Sequence, residues 1–172
     1  MAPACPVRVT ALIVVMATLA PAAPSAQTRA WPRLQVFDLV AQVGAREALD
    51  EAWALLAQPE CVTLLATFHD ASNTPLAHRL AQLSLDPQTY LTTVMFVDGS
   101  RETQCTEGVF AFTSPGSRVV RLCAGELKRL PRFGPRQTAA RIIHEMLHTL
   151  GLGEDPPSSK EITQRVLAAC HR

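Results

Sequence analysis

The sequence predicts an α+β fold, and three observations carry the prediction. The first half is rich in alanine and leucine at helical spacing. Turns cut the stretch from Tyr90 to Cys123 into β-branched pieces, and the chain closes on two amphipathic stretches with start and stop signals. The expected order is N-terminal helices, a small mixed or antiparallel sheet, a helix carrying a His-Glu-x-x-His pattern, and a short C-terminal helix.

Residues 1–26 read as a secretory signal peptide rather than as part of the fold. Arg8 is their only charge, Val9–Leu19 is an apolar run, and the small residues Ala20–Ala26 offer cleavage points. The run is too short and too weakly flanked for a stable membrane span. Cys5 precedes it, so that cysteine is not a lipidation site. Cleavage after Ala26, with Ala22 and Ala30 as the alternative points, leaves residues 27–172 as a single domain, secreted or periplasmic.

The domain reads as follows. Leu34–Ala57 places Phe37, Val40, Leu49, Ala52, Trp53 and Leu56 at mostly helical spacing, with Gly44 the point where a bend or split is expected. Gln58-Pro59 ends that helix and starts another through Leu64 and Phe68. His69-Asp70 then falls in a loop, as a surface or capping pair. Thr74-Pro75 reads as an N-cap and first turn, with Leu76, Leu80 and Leu83 as the buried stripe. After Asp86-Pro87 the character changes. Tyr90–Val97, Val109–Thr113 and Arg118–Cys123 are expected strands, and Asp98-Gly99-Ser100 and Ser114–Ser117 are turns. Ala124–Pro135 is a loop or a short helix. From Gly134-Pro135, the residues Ala139, Ile142, Ile143, Met146, Leu147 and Leu150 repeat at three- and four-residue steps, and Gly151 follows as a C-cap. Asp155-Pro156-Pro157 breaks the chain, and Ser158 with Glu161 forms a capping box that starts a final helix to Cys170.

Sixteen Lys+Arg against fifteen Asp+Glu leave almost no net charge, which argues against nucleic acid as a partner (16 and 15). One cluster is locally basic: Arg118, Arg121, Lys128, Arg129, Arg132, Arg136 and Arg141, opposed in the sequence only by Glu126. It reads as a solvated rim or, more sharply, as a contribution to binding acidic substrates. Cys61, Cys105, Cys123 and Cys170 remain after signal removal, an even count that favours two disulfides in an exported protein. Three connectivities are open. The preferred one joins Cys105 to Cys123 on neighbouring strands and uses Cys61–Cys170 to tie the C-terminal helix to the N-terminal half.

The chemistry concentrates at His144-Glu145-Met146-Leu147-His148, followed by Thr149-Leu150-Gly151-Leu152-Gly153-Glu154. Residues four apart share a helix face, so the two imidazoles can converge on one metal ion. Glu145 points about a quarter-turn away, where it can hold a metal-bound water rather than the metal itself.

At His144–Glu154 the sequence resembles the zincin superfamily of metallopeptidases, and the order of short strands before the motif helix is similar. The resemblance implies a zincin-like minimal fold in which an edge strand, in the Val109–Thr113 and Arg118–Cys123 region, pairs with an extended peptide or protein substrate. It also implies one Zn2+ per chain, with His144 and His148 as ligands. Glu145 would be the general base, taking a proton from zinc-bound water and passing it to the leaving amine. A catalytic zinc needs a third protein ligand. The spacing of His144, His148, Gly151 and Glu154 follows the metzincin branch, with glutamate where that branch has histidine or aspartate. Gly151 supplies the tight turn and Glu154 is the expected ligand. Asp155, its neighbour, and Glu161, as in the branch whose third ligand lies on a later helix, stay open. No methionine follows Met146, so the methionine turn of metzincins is absent, and the chain after Glu154 is short for their C-terminal subdomain. Tyr90 and His171 are the candidates for stabilising an oxyanion. The expected function is therefore a secreted or periplasmic zinc peptidase. The alternatives are a non-catalytic zinc-binding recognition or structural domain, and a metal-free scaffold held by its cysteines.

Overall fold

The computed structural model describes Met1 and residues 30–129 and 133–171. The signal-peptide expectation for residues 1–26, and Arg132 of the basic cluster, lie outside the described residues.

The chain enters through β1 (Arg33–Gln35), which pairs in parallel with β2 (Met95–Asp98), Leu34 lying beside Phe96. This corrects the reading of a helix from Leu34. Pairing with a strand some sixty residues away overrides local composition, and the helix waits for Asp38, whose side chain accepts the Ala41 N–H at 3.0 Å. Helix α1 (Leu39–Leu56) then runs through Gly44 without a split and buries Ala41, Ala45, Ala48, Leu49, Ala52, Leu55 and Leu56. Small residues along that stripe let α1 lie close against α6 (Gly134–Thr149), whose Ala139 and Ala140 are also buried.

Helix α2 (Pro59–Leu65) starts on its proline, as expected, and α3 (Leu76–Gln82) starts one residue later than expected. Pro75 takes the cap position, and the Thr74 N–H is held by Asp70 instead. Leu76 and Leu80 are buried, whereas Leu83, at the C-cap, is exposed. Helix α4 (Pro87–Thr92) corrects the long strand expected over Tyr90–Val97. Asp86 accepts the Thr89 N–H at 2.8 Å, and Pro87 presets the first turn, so capping wins over β-branched composition until Val94. The remaining strands are shorter than expected: β3 (Ala111–Phe112) and β4 (Val119–Leu122).

The sheet order is β1-β2-β4-β3, parallel except for β3, which pairs antiparallel with β4 and forms an edge. Phe96, Val120 and Leu122 of the sheet join the helices in one core. After β4 come α5 (Ala124–Leu127), the long α6, and α7 (Ser159–Ala169), where Ser158 accepts the Glu161 N–H at 3.3 Å.

Both disulfides adopt the preferred connectivity. Cys61–Cys170 ties the end of α7 to α2, and Cys105–Cys123 ties the β2–β3 loop to the residue after β4, rather than strand to strand. Two such bonds fit an oxidising compartment. Among the described residues no helix is long and apolar enough to cross a membrane.

The chain-entropy argument separates the two bonds. Cys61–Cys170 closes a span of 109 residues and Cys105–Cys123 one of 18. Removing the first by alanine replacement of both cysteines is expected to lower the unfolding free energy by about 4–5 kcal/mol, and removing the second by about 3 kcal/mol. Urea unfolding of the two double variants checks the ordering; equal losses would contradict it.

Candidate metal centre

Helix α6 is the most enclosed element of the site. Ile142, Ile143, Met146 and Leu147 are fully buried, and His144, Glu145 and His148 are themselves at least nine-tenths buried. Three polar side chains in such surroundings need partners. Those of the histidines are distinctive.

His148 Nδ1 lies 2.8 Å from the carbonyl oxygen of Leu152. A carbonyl can only accept, so Nδ1 carries the proton and Nε2 keeps an in-plane lone pair. His144 Nδ1 lies 2.8 Å from the Thr163 hydroxyl on α7, which can accept from it and free the second Nε2 in the same way. The two Nε2 atoms are 2.9 Å apart, and Glu154 Oε1 lies 3.2 Å from that of His148 and 3.5 Å from that of His144. A tetrahedral ion with ligands at 2.0–2.2 Å spaces them about 3.3 Å apart. The three atoms have the mutual spacing of ligands to one small cation, and together the three residues form a group that can hold a metal ion.

Glu154 reaches this point through the end of α6. The Gly151 N–H donates to the His148 carbonyl at 2.8 Å and the Leu152 N–H to the Leu147 carbonyl at 3.2 Å, the two bonds of a Schellman cap. The cap needs a left-handed residue, and Gly151 has φ +110°. The turn also buries Leu152, whose carbonyl fixes His148 and whose backbone bridges to Asp70. Asp70 is buried. Its carboxylate accepts the Ser72 and Thr74 N–H groups at 2.8 and 2.9 Å and Arg79 Nε at 2.6 Å. The Thr74 amide foremost, and Arg79, hold its pKa below the ordinary carboxylate value. Of the His69-Asp70 pair, Asp70 is thus an interior capping residue that supports the turn before Glu154, while His69 is exposed. The sequence offered only a short acidic side chain in a loop.

The other candidates lie elsewhere. Asp155 is exposed with φ +77°, and the Glu161 carboxylate faces Arg165 at 3.9 Å. Tyr90 is a core residue whose hydroxyl donates to Thr149 Oγ1 at 3.0 Å, and burial raises its pKa. His171 is exposed beyond α7. The basic cluster is neutralised by more than Glu126: Arg121 faces Glu102, Lys128 faces Asp38, and Arg129 reaches Glu107 as well as Glu126.

The electrostatics of the pocket are those of a dry site. Burial first, then the neighbouring His148, lowers His144 to about 4, so its imidazole is neutral. Burial, with a smaller push from Glu154, raises Glu145 to about 8. A cation between the three ligand atoms would act in the opposite sense on Glu145. Glu145 Oε2 is buried and has no hydrogen-bond partner among the described residues. Glu145 and His144 line a cleft of about 530 Å³, bounded by Gly108–Ala111 at β3 and by Ser159 and Thr163 of α7. A larger apolar groove of about 620 Å³, between α1 and the start of α6, contains none of these groups. Comparison with protein-family models, with curated proteins and with solved structures found no match.

The geometry yields two expectations. Glu154→Ala should weaken divalent metal binding more than about 100-fold, because a ligand lost costs more than an outer partner lost. Asp155→Ala and Glu161→Ala should stay within about threefold of the unmodified chain by calorimetric titration; a loss in either of them and not in Glu154→Ala would reassign the ligand. Gly151→Ala forces a Cβ into a left-handed position 3.2 Å from the Asp70 Cβ. It should cost more than about 1 kcal/mol in thermal unfolding and weaken metal binding as well, by displacing Leu152 and Glu154.

Proposed function

We propose that this chain is a zinc metallopeptidase of the zincin type, acting on peptide or protein substrates outside the cytoplasm. One observation carries the reading: a buried carboxylate with an oxygen unpaired among the described residues, Glu145, shares a cleft with His144, one of three residues whose ligand atoms converge. Two imidazoles and one carboxylate suit zinc, and three protein ligands leave a position open for chemistry. A zinc ion bound there supplies a Lewis acid, which polarises a carbonyl and lowers the pKa of a water molecule.

The chain's own residues do the rest. Glu145 takes a proton from the water whose oxygen attacks the scissile carbonyl carbon, and returns it to the nitrogen as the C–N bond breaks. Thr163 and the Leu152 carbonyl keep both imidazoles aimed at the ligand point. Among the described residues strand β3 pairs on one side only, with β4, so its other edge can take an extended peptide beside Glu145. A purely structural metal site would gain nothing from an unpaired buried carboxylate, and that weighs against the non-catalytic alternative.

Glu145→Gln is nearly isosteric and removes the base. It should bind one zinc per chain like the unmodified protein while hydrolysis of a broad peptide library falls about 10²- to 10⁴-fold. Undiminished cleavage by this variant would remove Glu145 from the mechanism. Zinc binding by the unmodified chain without cleavage of any peptide would favour the non-catalytic domain.

A further inference from the structure

Arg141 differs from every other described cation in the basic cluster. Arg121, Lys128 and Arg129 have acidic partners, Arg118 donates to Thr93 Oγ1, and Arg136 donates to the Leu167 carbonyl. Arg141 has neither an acid nor a hydrogen-bond acceptor among the described residues, and its Nη1 is buried without a partner. A guanidinium N–H removed from water with no acceptor is unfavourable, so something must compensate for it.

Two aromatic rings hold the group in place. The Arg141 guanidinium carbon lies 5.7 Å from the Phe110 ring centre and 4.7 Å from that of Phe133. Stacking restrains the planar fork while leaving its N–H edge to make bonds. Arg141 sits one helical turn before Glu145, yet the two do not pair, although residues four apart on a helix commonly do. Both line the cleft beside β3, where Lys160 of α7 adds a second cation and Glu145 is the only acid among the described residues that line it.

We infer that this part of the cleft is a subsite for a substrate carboxylate. Arg141, assisted by Lys160, receives an acidic group carried by the peptide next to the bond presented to Glu145. A carboxylate matches the guanidinium fork through two parallel hydrogen bonds and supplies the acceptor that Arg141 lacks. The subsite rests on the peptidase reading and narrows its substrate class to acidic peptides. An aspartate or glutamate side chain and a free chain terminus offer the same chemistry.

The test separates subsite from catalysis. Full-length zinc-loaded Glu145→Gln protein is titrated by fluorescence anisotropy with heptapeptide pools, randomised except for a central Glu or Gln, each with a free or an amidated C-terminus. The acidic member of one pair should bind about 10- to 100-fold more tightly than its neutral isostere, and the pair that shows this identifies the source of the carboxylate. Adding Arg141→Gln should bring that ratio to within about threefold of unity. Equal binding in both pairs, no binding of any pool, or a preference that survives Arg141→Gln would overturn the subsite. Melting temperature and zinc content check that the Arg141→Gln variant is folded. If it is not, Arg141→Lys, which keeps the charge and loses the fork, should give an intermediate ratio, and an undiminished one would count against the subsite. Cleavage of the same pools by the unmodified chain is read separately. An Arg141-dependent preference without cleavage keeps the subsite and removes the peptidase; cleavage without acidic preference does the reverse.

Discussion

Two imidazole nitrogens 2.9 Å apart inside a buried helix face are the arrangement on which the surrounding structure depends. Burial keeps the His144 ring from gaining a charge easily, and each ring must be oriented by its second nitrogen. The fold supplies both orienting groups from the part of the chain that follows α6. The Leu152 carbonyl comes from the turn, and the Thr163 hydroxyl comes from α7. Each depends on a further restraint. Asp70 bridges to Leu152 from the loop before α3, and Cys61–Cys170 pins the end of α7 to α2. The three residues are thus held by elements far apart in sequence, with α1 packed against α6.

The same enclosure separates the two glutamates. Glu145 is buried, and burial pushes its carboxyl toward the protonated form. Glu154 is half exposed and reaches the imidazoles from a turn rather than from the helix. Arg141 continues this gradient outward along α6, as a cation seated between two rings at the edge of the cleft.

Much of this was readable from local rules. Helix α6 showed itself by its repeat, the capping serine of α7 by Ser158 and Glu161, and the ligand-bearing turn by a glycine placed after the last apolar position. What misled was also local. Leu34 lies in a helix-rich composition but joins a strand, and Tyr90 lies in a β-branched run but belongs to a helix started by Asp86 and Pro87. The basic cluster looked unopposed because Asp38, Glu102 and Glu107 lie far from their partners along the chain. Asp70 gave no signal beyond its type.

The sequence by itself determined the motif helix, the two imidazoles four residues apart on it, and the glycine turn that follows them. Each of these is a short-range property, set by spacing of four residues or fewer, a glycine's access to positive φ, and capping. Only the tertiary structure decided which atoms face one another. It brought Glu154, and not Asp155 or Glu161, next to the two imidazoles, made Asp70 an interior support, placed Tyr90 in the core, and left Arg141 without an acid among the described residues. Those outcomes depend on burial and on partners contributed by distant segments, and residue spacing along a chain does not encode them.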